Sequence, residues 1–318
     1  MNGDMMRVLV LGGGGFVGQR IVAALRASGR VRPVVAMRRA DGPDVLAFDA
    51  LDPAALGAAL DGMDGVVNCV TGSPATIRRG ALALAQVAGA RRVVHLSSMA
   101  VYGSATGLVD EAAPMKADIG GYGAAKIEAE RLLAASNAVM LRPGCVHGPG
   151  GRLWTGRVAQ LLAAGRIGDL GRAGLGHSNL IDVEDLASAV LAGLFLPQPG
   201  AFNLALPDAP RWNDYFAQFA RVLDVPCASV PAWRLMAEGW LLAVPFKLAE
   251  RAGLNLPPPI ALSQLRLWAR DIRMDMAAAE AQLGMVWTPL AQTLARSAAW
   301  VSCAQAAGGA PTTARQGE

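Results

Sequence analysis

The stretch RVLVLGGGGFVGQRIVAALRAS, residues 7–28, decides the fold. RVLVL (7–11) is an apolar run of strand length, four glycines follow, and FVGQRIVAALRAS (16–28) spaces its apolar residues as a helix does and stops at Gly29. Strand, tight turn and helix in that order open a βαβ unit. The glycines satisfy two registers at once: G-x-G-x-x-G through Gly13, Gly15 and Gly18, and G-x-x-G-x-x-G through Gly12, Gly15 and Gly18. Glycine is needed where such a turn takes positive φ, where backbone touches a pyrophosphate, and where helix packs close on strand. The free N–H groups of the helix then hold the anion. The placement predicts a dinucleotide site over Gly12 to Gly18, with Phe16 and Val17 at the helix start; the plain alternative is a flexible turn.

Outward from this unit, VRPVVAM (31–37), DVLAF (44–48), GVVNCV (65–70), RRVVHLS (91–97) and AVMLRP (138–143) recur as short β-rich runs. Alanine-rich helical stretches near 52–60, 74–89 and 122–136 separate most of them. Each parallel crossover needs a helix to return the chain, so the alternation predicts an α/β, Rossmann-type doubly wound parallel sheet. After about residue 150 the character changes: all seven tryptophans and proline-rich breaks such as LPPPI (256–260) suggest a smaller, mostly helical C-terminal substrate subdomain. The expected division is a dinucleotide-binding domain over 1–150, with 178–206 returning to it, a substrate-binding subdomain over 151–177 and 207–304, and a flexible tail over 305–318.

Composition narrows the function classes. With 53% hydrophobic and 17% charged residues the chain should fold compactly. Arg234, Glu238, Lys247 and Glu250 interrupt the longest apolar stretch, WRLMAEGWLLAVPFKLAE (233–250), so no integral membrane span is expected. The first residues run directly into the opening strand, which predicts a soluble chain without a secretion signal. Cys69, Cys145, Cys227 and Cys303 are widely spaced and the three histidines are isolated, which points to neither disulfides nor a metal site and suits a reducing cytoplasm. The net charge of +4 comes from scattered arginines, so nucleic acid is not an expected partner.

An NAD site usually has an acidic residue at the end of the second strand to bind the ribose 2′-hydroxyl. Here that place reads AMRRAD (36–41), and guanidinium groups from Arg38 or Arg39 would bind a 2′-phosphate that a carboxylate would repel. NADP is therefore expected, with NAD as the alternative. In FDALD (48–52), Asp49 is a candidate for the adenine amino group, while Asp52 is placed to cap a helix beginning at Pro53.

GGYGAAKIEAE (120–130) contains one of three tyrosines and, four places later, one of three lysines. A chance pair at this spacing is a roughly 3% event. Positions i and i+4 share a helix face, so the Lys126 ammonium is expected to lower the phenol pKa of Tyr122 from about 10 and make it an acid or base near neutral pH.

The motifs LGGGGFVG (11–18), RRVVHLSSMAVYG (91–103), YGAAK (122–126), LRPGCVHGP (141–149) and LIDVEDLASA (180–189) occur in that order. In this series the chain resembles the extended short-chain dehydrogenase/reductase family, which includes NAD(P)-dependent epimerases and 3β-hydroxysteroid dehydrogenases. The resemblance implies that Tyr122 is the catalytic proton donor or acceptor, that Lys126 binds the nicotinamide ribose, and that Ser98 hydrogen-bonds the substrate oxygen, with Ser97 as the alternative serine. It also implies that NCVTG (68–72), with Thr71, lies beside the cofactor, that RPGCV (142–146), with Pro143 and Val146, lines the nicotinamide end through backbone groups, and that the protein is a homodimer. Family dehydratases carry an Asp-Glu pair where this chain has Met99 and Ala100, which argues against dehydration. Many sugar-nucleotide epimerases have an asparagine at the place of Cys145 and a phosphate-binding arginine near Ser178, and both are missing. The family's usual asparagine after the fourth strand has only Thr76 as a nearby polar counterpart. Cys145 reads as a small packing residue.

Trp212, Trp233, Met236, Trp240, Leu241 and Phe246 are candidates for an apolar substrate pocket, although aromatics at helical spacing are more often core. The expected activity is hydride transfer between NADP(H) and a ketone or secondary alcohol of an apolar small molecule. The alternatives are a nucleotide-sugar epimerase with tightly held cofactor and a non-catalytic NADP-binding sensor; retention of Tyr122 and Lys126 favours chemistry.

Overall fold

Residues 5–38, 42, 44–231, 233–235 and 260–306 are described by the computed structural model. The chain forms two compact units, one from Met1–Gly144, Val183–Pro207 and Met274–Trp287, the other from Cys145–Asp182, Asp208–Arg273 and Thr288–Glu318. The elements begin with β1 (Met6–Leu11), α1 (Phe16–Ala27), β2 (Val31–Met37), β3 (Val45–Ala47), α2 (Pro53–Ala59), β4 (Gly65–Asn68), α3 (Pro74–Val87) and β5 (Arg92–Leu96). They continue with β6 (Gly107–Val109), α4 (Gly121–Leu133), β7 (Ala138–Pro143), β8 (Cys145–His147), α5 (Arg157–Ala163), β9 (Gly168–Asp169), β10 (Leu180–Asp182) and α6 (Val183–Phe195). The last are β11 (Gly200–Leu204), α7 (Trp212–Val222), β12 (Ala228–Ser229), α8 (Leu262–Trp268), β13 (Ile272–Met274), α9 (Ala277–Leu283) and α10 (Leu290–Ala306).

In the first unit, seven strands form one parallel sheet in the order β11-β7-β5-β4-β1-β2-β3. Its central strands are apolar on both faces because helices cover both. On one face α1 packs against α6; on the other α2 packs against α3 and α3 against α4. Leu9, Leu11, Val66, Val93, Ile77, Leu84, Ala125 and Leu133 belong to the core beneath the second set. Local chemistry fixes the helix starts: the Asp52 carboxylate accepts the Ala54 N–H at 2.9 Å ahead of Pro53, a cap of about 1 kcal/mol. The order of the strands reverses between β1 and β4. In open α/β sheets ligands bind outside the carboxyl ends of the strands at such a reversal, and the glycine turn and residues 69–71 lie there.

In the second unit, α7 presents Trp212, Tyr215, Phe216 and Phe219 on one buried stripe. Trp212 lies 6.2 Å from the fully buried Trp268, ring centre to ring centre, and Tyr215 stacks on Phe219 at 5.9 Å. His147 meets the edges of Tyr215 and Phe219, and burial takes its pKa down to about 3 against the opposing pull of Asp182. Trp212 is thus a core residue: its helix packs the apolar stripe inward. Trp233 is 72% exposed. Met236, Trp240, Leu241, Phe246 and the tail from 307 lie outside the described residues, while α10 carries the helix through 305 to Ala306. Among the described residues no helix is long and apolar enough to cross a membrane.

Candidate active site

The glycine turn links the end of β1 to the start of α1. A Cβ on Gly18 would lie 2.3 Å from the Gly12 carbonyl oxygen, so only glycine lets the first turn of α1 close onto the loop. Gly15 is the N-cap residue, its N–H bonding the Gly12 carbonyl at 3.1 Å. No side chain caps α1 and its first turn has no acidic residue. The N–H groups of Phe16, Val17 and Gly18 therefore open an uncapped, positively polarised helix end, as a pyrophosphate requires. This loop, together with the side chains below, fits a nicotinamide dinucleotide.

The remaining candidates for cofactor contacts are distributed as follows. Gly12 and Gly13 follow β1, and Arg38 is exposed one residue beyond β2. Arg39 lies outside the described residues. Asp49 is exposed, and its Oδ1 accepts the Leu51 N–H at 3.0 Å. Pro143 is the last residue of β7 in the first unit. Val146 belongs to β8 of the second unit, paired with Ile181. Cys145 is buried, its thiol pushed far up by burial, which suits packing and not nucleophilic chemistry.

The hydroxyl cluster is built by three segments of the first unit. Ser98 caps a 3-10 turn (Met99–Tyr102) at the end of β5, its Oγ accepting the Ala100 N–H at 3.2 Å. Tyr122 is in the first turn of α4. A Cβ on Gly123 would lie 2.6 Å from the Ala100 carbonyl oxygen, so glycine there lets α4 close onto the 3-10 turn. With the helix this close, the Tyr122 hydroxyl is grouped with those of Ser98 and Thr71, both of which act to lower its pKa. Thr71, named from the sequence for the cofactor alone, is thereby a member of the cluster. Thr76 instead shares a hydrogen bond of 2.9 Å with Ser73 at the start of α3.

Lys126, one turn along α4, is buried and donates to the Leu96 carbonyl at 2.7 Å, while its Nζ lies 5.9 Å from the centre of the Tyr122 ring. Burial lowers its pKa to about 8, against the upward pull of Cys69 and then Glu130. Next to it on β5, His95 is buried with neither ring nitrogen hydrogen-bonded; burial, then the Lys126 charge, hold it neutral. The expected lowering of the Tyr122 pKa by Lys126 does not prevail in this geometry. Burial raises that pKa above 10, and the Ser98 and Thr71 hydroxyls pull it down without reversing the direction. The ammonium is turned toward Leu96, so Tyr122 is a neutral phenol across the physiological range.

The adjacent serine has a different partner. Ser97 donates to Glu130 at 2.5 Å, and Glu130 accepts two further bonds from Arg142, at 3.0 Å from Nε and 2.7 Å from Nη2. Arg142 Nη1 donates to the Tyr102 hydroxyl at 3.0 Å, and Tyr102 donates to Asn203 at 2.6 Å. All five side chains are buried. Neither Glu130, Arg142, Tyr102 nor Asn203 stood out in the sequence as a functional residue. The one available signal was that a charged residue, Arg142, falls within the otherwise apolar run of β7.

A model of the NAD dependent epimerase/dehydratase family matches residues 8–205. A 3-diazoavenalumate denitrifying reductase from a Streptomyces species is 31% identical over 252 residues, covering 70% of this chain and 83% of that one. A 2-alkyl-3-oxoalkanoate reductase from Stenotrophomonas maltophilia (strain K279a) is 31% identical over 216 residues, 59% of this chain and 64% of that one, just under two thirds of its length. Among solved structures, the human epimerase family protein SDR39U1 (isoform 2) with NADPH superposes with a TM-score of 0.73 at 19% identity, covering 92% of this chain and 99% of that one.

Proposed function

The chain belongs to the NAD dependent epimerase/dehydratase family, and on that premise we propose that it is an NAD(P)-dependent reductase that converts a ketone to a secondary alcohol. The observation that carries this reading is a phenol grouped with two hydroxyls, Ser98 and Thr71, with a buried lysine one helical turn away. When bound, the nicotinamide supplies hydride to the carbonyl carbon. Tyr122 gives its Oη proton to the carbonyl oxygen as negative charge develops there, and the Ser98 hydroxyl donates a hydrogen bond to the same oxygen. The resulting phenolate is stabilised by the Thr71 hydroxyl and by the nearby Lys126 charge until water reprotonates it. A neutral phenol at pH 7 is an acid, which supports the direction of reduction.

The glycine turn and the N-terminal end of α1 would hold the pyrophosphate, with Lys126 at the ribose and Thr71 and Pro143 toward the nicotinamide. Arg38 and Arg39 in place of an acid after β2 support NADP over NAD. The first unit is the cofactor domain in this reading. One relative's name specifies a 2-alkyl-3-oxoalkanoate, which supports a ketone on an apolar chain. A homodimer in a reducing cytoplasm completes the proposal, the latter in keeping with four free thiols. The test is NADPH oxidation with a panel of 3-oxoalkanoates, simple ketones and nucleotide sugars. Stoichiometric NADPH oxidation with a ketone is expected; interconversion of a sugar nucleotide without net cofactor turnover would replace this reading by epimerisation.

A further inference from the structure

Glu130 has no part in the chemistry described above, yet it joins its pieces. It lies on α4 one turn beyond Lys126 and two turns beyond Tyr122, so the three share a helix face. Its carboxylate takes the Ser97 hydroxyl from the segment that continues into Ser98, and it takes both arms of the Arg142 guanidinium from β7. Arg142 in turn reaches the Glu111 carbonyl at 3.0 Å and the Tyr102 hydroxyl, and Asn203, its neighbour in β11, binds Glu111 and Tyr102. The carboxylate is thus fixed on two sides in a dry environment. Such a group cannot turn away from a neighbouring charge or be screened by water.

The groups facing Lys126 are Cys69 from the end of β4, His95 from β5, and Tyr122 and Glu130 from α4 itself. Cys69 cannot supply negative charge: burial raises its thiol to about 12, so it is protonated throughout the range in which Lys126 titrates. His95 is neutral and Tyr122 is a phenol in that range. Glu130 is left as the standing anion.

We propose that Glu130 is a positioning residue for this site: clamped by Arg142 and Ser97, it holds its carboxylate one helical turn from Lys126 on the same buried face and keeps that side chain an ammonium in its buried position. What Lys126 then does for catalysis rests on the reductase reading, but its protonation does not.

The experiment follows lysine side-chain signals by NMR across pH in protein carrying isotope-labelled lysine, without substrate or cofactor. The chain has three lysines, and the Lys126 signal is identified by its loss in Lys126→Met. Wild type should titrate at about 8. Glu130→Gln should move the midpoint lower by roughly half a pH unit or more, because removing a nearby anion disfavours the cation. Glu130→Asp, which keeps the charge, should restore it to within about 0.2 pH units of wild type. Since Glu130→Gln leaves a buried guanidinium unpaired, the same titration is run on Glu130→Gln/Arg142→Gln, in which neither charge remains, and a fall of the same sign is expected there because the carboxylate on the Lys126 helix face is gone. A midpoint within about 0.2 pH units of wild type in the folded variants lacking the carboxylate, or an equal fall in Glu130→Asp and Glu130→Gln, overturns the proposal. Failure of the reductase reading would be seen separately, as absence of NADPH oxidation with the titration unchanged.

Discussion

Ser97 and Ser98 are neighbours in the chain and belong to opposite kinds of environment. Ser98 joins Tyr122 and Thr71 in an outer cluster where Tyr122 is 42% exposed. Ser97 is sealed in an inner network with Glu130, Arg142, Tyr102 and Asn203. Strand alternation explains the divergence, since successive side chains leave a strand end on opposite sides. The outer cluster has unspent donors and faces solvent, as a group that must exchange protons requires. The inner network spends its polar atoms on one another, and so supplies rigidity and a fixed charge in place of chemistry. Reactivity and order are thereby assigned to different side chains on the same two segments.

The sharpest way to break this contrast is to remove the outer proton. Tyr122→Phe should lower the rate of ketone reduction by about 1,000-fold, within the range of general acid catalysis, while leaving the urea midpoint unchanged. The converse variant strikes the inner network: Arg142→Met leaves the Glu130 carboxylate buried and unpaired and should cost about 3–5 kcal/mol of stability by urea denaturation. Thr71→Val tests whether the outer cluster needs both hydroxyls. Loss of one hydroxyl beside the phenol should slow reduction about fivefold and move any Tyr122 titration upward, since that hydroxyl lowers its pKa. The smallest effect belongs to Arg78→Ala. Arg78 pairs with Glu128 at 2.5 Å, also on α4, but the two side chains are 40% and 51% exposed, so the change should cost less than about 1 kcal/mol. A cost comparable to that of Arg142→Met would remove the distinction between the two ion pairs.

The parts of this molecule that could be read from the sequence are those with local causes. Gly18 announces itself because a helix must pass within contact of its own loop, and Asp52 because a cap precedes a proline. The spacing of Tyr122 and Lys126 is likewise a property of one helix. What escaped the sequence depends on distant partners. Arg142 meets Tyr102 across 40 residues, and Tyr102 meets Asn203 across 101, distances over which no periodicity operates. The direction of the Tyr122 pKa also escaped, because spacing reports the neighbouring ammonium and not the desolvation of the phenol. Trp212 shows the same limit: an aromatic stripe on α7 reads equally as pocket or core until its packing against Trp268 is known.

The central claim is that Tyr122 protonates a carbonyl oxygen as hydride reaches the adjacent carbon from bound cofactor. Its most direct test is reduction of a 3-oxoalkanoate with NADPH deuterated at the transferring C4 position, followed by mass analysis of the product. The account predicts one deuterium on the carbinol carbon per NADPH consumed, formed by wild type and slowed about 1,000-fold in Tyr122→Phe. Deuterium retained on the cofactor, or equal rates in the two proteins, would contradict it.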